Sequence, residues 1–64
     1  MTAFSNNIRL LRKRKRFTQD DVAQSLQMKR STLSGYENEV AYPNINALIR
    51  LSEYFNVSID TLIK

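Results

Sequence analysis

Between Thr18 and Asn38 the chain carries two short apolar stripes separated by only a few residues. Val22, Ala23 and Leu26 recur at helical spacing in the first segment, and Leu33 and Tyr36 do so in the second. Neither segment is long enough to hold a helix in isolation, so each must bury its stripe against a neighbour. Thr18 is a good N-cap, and Asp21 three residues on completes a Ser/Thr-x-x-acid arrangement in which two side chains satisfy free backbone donors. The first of these helices therefore begins at Gln19. Apolar spacing breaks after Leu26 and resumes at Leu33, which leaves Gln27, Met28 and Lys29 as the connection.

Two helices joined by so tight a turn form a helix-turn-helix unit over residues 18–38. With Leu33 facing inward and about 100° per residue, Tyr36 and Glu37 fall on either side of it, whereas Ser31, Ser34, Gly35 and Asn38 lie roughly opposite. That outer face is small and polar, led by Lys29 and Arg30. It suits a DNA major groove, where arginine bonds guanine edges in bidentate fashion and short hydroxyl or amide side chains reach bases or phosphates. On the residues alone, an ordinary solvated helix face accounts for the same pattern.

The run FTQDDVAQSL, then RSTLSGYEN, the proline of YPN and LIRLSEYFNVSIDTLI together resemble the Cro/C1-type (XRE) helix-turn-helix family. The resemblance extends from about Ile8 to Leu62. It implies an all-α, five-helix, lambda-repressor-like domain that binds double-stranded DNA as a repressor-like regulator, with homodimers on a two-fold operator. By the same resemblance Arg12 pairs with Glu37 as a structural tie between the first and third helices. Gln19 would touch the DNA backbone and brace a side chain of the recognition helix. The DNA-binding set expected on these grounds is Gln19, Lys29, Arg30, Ser31, Thr32, Ser34, Gly35 and Asn38, with Arg30 as the main base reader and Gln19 and Thr32 chiefly on phosphate. An antitoxin-like or adaptor module that binds another protein is the alternative, and an acidic or broadly apolar outer face would favour it.

Sixty-four residues make one small domain, read as a single unit over 1–64, and no cysteine can staple it. With neither Cys nor His, the usual zinc patterns, thiol catalysis and imidazole chemistry are missing, so no catalytic residue, metal or cofactor is expected. No apolar run is long enough for a membrane span, no small-molecule substrate is suggested, and a cytoplasmic protein is expected. The net charge is +4, unevenly spread. Residues 1–32 hold eight Lys/Arg against Asp20 and Asp21, whereas residues 33–64 hold Arg50 and Lys64 against four acids. Polyphosphate attraction belongs to the basic half.

The remaining elements follow from periodicity. Met1 and Thr2 precede a first helix from Phe4 or Ser5 to Lys15, with Phe4, Ile8 and Leu11 inward and a basic run of Arg9, Arg12, Lys13, Arg14, Lys15 and Arg16 crowding its far half. Pro43 and Asn44 open a fourth helix with Ile45, Leu48, Leu51 or Ser52, and Phe55 as its apolar stripe. Asn56 ends it, and Ser58 caps a last helix from Ile59 to Ile63 with Ile59 and Leu62 facing the core. Ile63, with Tyr42 or Val40, is the expected dimer contact.

Three turns depart from the family pattern. Arg16, Gln27 and Glu39 stand where the resemblance implies glycine in left-handed geometry, at a cost of about 1 kcal/mol each. Lys29 stands where Ser or Thr caps the recognition helix, and lysine accepts no hydrogen bond. The chain's only glycine, Gly35, lies instead inside that helix. Close approach of backbone to DNA and tolerated drift are both open explanations for it.

Overall fold

In the computed structural model, which describes residues 2–64, five helices and no strand are found. They are α1 (Thr2–Arg14), α2 (Gln19–Ser25), α3 (Arg30–Glu37), α4 (Ile45–Phe55) and α5 (Ile59–Ile63). Met1, expected ahead of the first helix, lies outside the described residues. The α1 helix starts at Thr2, ahead of Phe4 and Ser5, because its first turn is already anchored. Phe4 is fully buried, and the Ser5 hydroxyl donates to the Tyr36 carbonyl at 2.7 Å.

Local chemistry sets most boundaries. The Thr18 side chain accepts from the Asp21 N–H at 3.1 Å, and Asp21 Oδ2 accepts from the Thr18 N–H at 2.8 Å, closing the capping box. Asn44 and Ser58 cap α4 and α5 by accepting from the Ala47 and Thr61 N–H groups. The Lys29 side chain makes no capping bond to α3. Four helices end in the same way, with a residue of positive φ. These are Arg16 (60°), Gln27 (55°), Glu39 (61°) and Asn56 (57°). After each, a backbone N–H reaches back five residues, from Phe17 to Arg12, Met28 to Ala23, Val40 to Gly35 and Val57 to Ser52. This is the closure that glycine usually provides. The three turns at Arg16, Gln27 and Glu39, where the resemblance implies glycine, thus have left-handed geometry with a Cβ in place.

Phe4 and Ile8 of α1, Val22 and Leu26 from α2 and its end, Leu33 and Tyr36 of α3, Leu51 and Phe55 of α4 and Leu62 of α5 form one core. Here α1 packs on α3 and α5, α2 packs on α3, and α4 packs on α5. The Phe4 and Tyr36 rings meet edge to face, 6.0 Å between centroids. Asn7 of α1 donates to the Thr61 and Leu62 carbonyls at 3.0 and 2.9 Å, tying the last turn of α5 to the first helix. The inward stripe of α4 is Leu48, Leu51, Ser52 and Phe55. Ile45, expected in that stripe, sits on the first turn beyond the core's edge and is 61% exposed. Ile63, expected as a dimer contact, is half-buried and packs against the core.

Among the described residues one charged side chain is buried in these contacts, beside the hydroxyls of Ser5 and Ser52. Glu37, at the end of α3, is buried with its side chain 2% exposed. Arg12 grips it from two directions, Nε to Oε2 at 2.6 Å and Nη2 to Oε1 at 3.0 Å. Gln19 Nε2 adds a third bond at 3.2 Å. Arg9 donates to the Glu37 carbonyl, and Arg12 Nη1 to the Phe17 carbonyl at 2.9 Å. Burial pushes the Glu37 carboxyl up, but hydrogen bonds from Arg12 and Gln19 and the charges of Arg12 and Arg9 outweigh it and hold it below its ordinary value of 4.5. The Arg12 guanidinium is correspondingly raised, chiefly by its hydrogen bond to Glu37.

Two outcomes follow. Gln27→Gly relieves a left-handed Cβ on an exposed residue and is expected to stabilise the domain by about 0.5–1 kcal/mol. The urea midpoint should rise with an unchanged slope, and a lower midpoint would contradict the backbone argument. The second concerns acid. Because the folded pKa of Glu37 is depressed, the unfolded chain takes up the proton first, so stability from this group is whole above about pH 4.5 and is lost as pH falls through the folded value. Glu37→Gln, which leaves the Arg12 charge alone, should cost about 3 kcal/mol at neutral pH and flatten the loss of thermal stability below pH 4.5. An acid limb as steep as that of the wild type would show that other carboxyls govern it.

Candidate nucleic-acid interface

The buried side of α3 fixes what its other side can present. Leu33, Tyr36 and Glu37 face the interior, so Arg30, Ser31 and the C-cap Asn38 are exposed, with Thr32, Ser34 and Gly35 half-buried along the flanks. Lys29 precedes the helix in extended conformation and is exposed. Except for Glu37, turned inward, and Arg30, no residue of α3 is charged. The result is a narrow polar ridge with two cations at its leading end.

The side chains along this ridge are partly pre-set. Asn38 Nδ2 donates to the Ser34 carbonyl at 2.9 Å and to the Ser34 hydroxyl at 3.1 Å, which holds the amide and the hydroxyl together one turn apart. Arg30 Nε lies 4.0 Å from Asp20 Oδ1, with both side chains about two-thirds exposed, at 67% and 64%. Arg12, Phe17, Thr18, Gln19, Asp20 and Arg30 line an open groove between the start of α2 and the start of α3. Gln19 is therefore at the edge of the ridge, with part of its amide committed to Glu37 of α3.

Gly35 requires a correction. Placed on the outward face by rotation, it in fact turns its missing side chain toward the following loop, where an added Cβ would stand 3.4 Å from the Ala41 Cβ. Its carbonyl accepts from both the Val40 and Ala41 N–H groups, at 2.9 and 3.2 Å. That distance is an ordinary contact, so the loop folds back over the end of α3 against Gly35 without depending on the missing side chain. Ideal rotation missed this because the loop, not a helix, covers that side.

Of the basic run, Arg9 and Arg12 hold Glu37, whereas Lys13, Arg14, Lys15 and Arg16 are exposed at the end of α1. Arg50 donates to the Leu26 carbonyl at the end of α2. The partnership of Asp20 with Arg30 was not visible in the spacing, since the two residues lie on different helices and match no motif. Among the described residues no cluster of acids could hold a metal ion, and no helix is long and apolar enough to cross a membrane.

Comparison with known proteins agrees with this geometry. A family model described as helix-turn-helix matches residues 8–62. The HTH-type transcriptional activator BcrR of Enterococcus faecalis is 35% identical over 60 residues, covering 94% of this chain and 29% of the relative. An HTH-type transcriptional regulator of Bacillus subtilis, YqaE, is 36% identical over 61 residues, covering 95% of this chain and 53% of the relative. The chain thus spans about a third to a half of the length of these curated relatives. Among solved structures, the SOS-response transcriptional repressor LexA from Eubacterium rectale superposes with a TM-score of 0.91 at 26% identity, over 97% of this chain and 66% of that one. The chain belongs to the Cro/C1-type helix-turn-helix family of DNA-binding transcription regulators.

Proposed function

We propose that the domain reads a specific sequence in double-stranded DNA by laying α3 in the major groove, and that two copies do so together on a two-fold site. The observation that carries this reading is the outward ridge of α3, in which an exposed arginine leads a row of small hydroxyl and amide groups. Arg30 bonds the O6 and N7 of a guanine. Ser31, Ser34 and Asn38 follow it along the groove, with Lys29 beside the leading turn. Gln19 and Thr32 reach the sugar-phosphate backbone from either flank. The exposed cations at the end of α1 add affinity that does not depend on sequence. Occupancy of a site near a promoter is the regulatory act, in a repressor-like manner.

A single helix reads few base pairs, and pairing through a two-fold axis doubles the site. The surface for it lies in residues 40–49, VAYPNINALI, which carry no charge in a chain where a quarter of residues do. Val40, Tyr42, Ile45 and Ile49 are 81%, 60%, 61% and 41% exposed there. Two copies of a molecule with net charge +4 repel each other, and a neutral apolar face is where like copies approach at least cost. These features support a contact through the α3–α4 loop and the start of α4.

Selection of bound duplexes from a random pool tests the reading. The expected product is two inverted half-sites about one DNA turn apart, each with a guanine that loses its preference in Arg30→Ala, at a cost of about 1–3 kcal/mol. Recovery of unenriched sequence, or selectivity unchanged in Arg30→Ala, would overturn it.

A further inference from the structure

Resting on the DNA-reading proposal above, we infer that Asp20 is a specificity-determining residue, which keeps Arg30 from acting as a phosphate clamp and leaves it to read guanine. Two acids stand among the basic residues of the first half of the chain, and they have different partners. Asp21 is engaged in the capping box, its Oδ2 on the Thr18 N–H at 2.8 Å. Asp20 projects into the groove between α2 and α3 and approaches Arg30 across it, with 4.0 Å between Oδ1 and Nε. A carboxylate on the ridge's edge opposes DNA phosphate, so its placement beside the leading arginine needs a reason.

The reason lies in how the two acceptors of a guanidinium differ. A phosphate attracts Arg30 through net charge, over a range of about a Debye length. A guanine edge is neutral and attracts it only at contact, through two parallel hydrogen bonds. An adjacent carboxylate cancels most of the first attraction and little of the second. Its position suits this role, since the approach is to Nε and both terminal nitrogens of Arg30 remain for the base. The exposure of the pair makes it weak and readily rearranged, so Arg30 is biased and not locked. Asp20 is therefore a positioning residue that acts through Arg30. A first-turn acid also favours a helix N-terminus, but that effect bears on stability and does not distinguish one duplex from another.

The test is a salt series of fluorescence anisotropy titrations with the duplex selected from the pool and a scrambled duplex of equal length. Asp20→Asn should tighten binding to the scrambled duplex about three- to fivefold, change binding to the selected duplex less than about twofold, and steepen the scrambled-duplex salt slope by up to about 0.9. Asp20→Glu should keep the wild-type ratio between the duplexes. In an Arg30→Ala background, Asp20→Asn should leave that ratio unchanged. Equal tightening on both duplexes, or a full effect without Arg30, would overturn the inference by showing general repulsion of DNA. A wild-type preference unaltered by Asp20→Asn would overturn this inference alone, whereas no preference in the wild type would overturn the DNA-reading proposal together with it.

Discussion

The rest of the structure depends on the buried bond between Arg12 and Glu37. Five short helices around a small core give few contacts per element, and α3 has only Leu33 and Tyr36 as buried apolar anchors. Two anchors leave rotation about the helix axis weakly specified. The forked contact of Arg12 with both oxygens of Glu37 supplies a third, directional constraint. Gln19 extends it to α2, and Arg12 also takes the Phe17 carbonyl at the turn between α1 and α2. Three helices are thereby referenced to one carboxylate. Such a pair adds less to stability than apolar packing of equal volume would, yet leaving either charge alone costs several kcal/mol. Its contribution is to orientation, and the orientation of α3 determines which side chains face outward.

This arrangement also divides the positive charge by task. Arg9 and Arg12 serve the interior, so the basic run of α1 is not uniformly a DNA-facing surface. The exposed cations beyond them, with Lys29 and Arg30, form the part available to a polyanion. The run from Val40 to Ile49, by contrast, bears no charge, and much of its apolar surface is open. Leu10 aside, the exposed large apolar side chains thus lie apart from the basic stretch, the one serving the proposed pairing and the other the proposed DNA contact.

Features set by local chemistry could be read directly from the chain. The Thr18–Asp21 box, the Asn44 and Ser58 caps and the proline stop at Pro43 bound elements through interactions within three residues, and these appear in the structure as the residues imply. The left-handed turns at Arg16, Gln27 and Glu39 could be anticipated only through the family resemblance, because nothing in an arginine, glutamine or glutamate favours that backbone. Features that depend on tertiary placement were hidden. The direction of Gly35 is set by a loop folding back to Ala41, the exposure of Ile45 by where the core ends, and the approach of Asp20 to Arg30 by the crossing of α2 and α3. Periodicity describes one helix at a time and says nothing of these.

The claim at the centre of this account is that Glu37, by fixing the rotation of α3, makes its opposite side the surface that meets DNA. Nuclear magnetic resonance tests it most directly, by following backbone amide signals as a selected duplex is added to the isotope-labelled domain. The account predicts that the largest shifts fall on Lys29 to Ser34 and Asn38, with smaller ones at the start of α2 and the end of α1, while α5 stays still. Shifts centred on α4 and α5, with α3 unmoved, would contradict it.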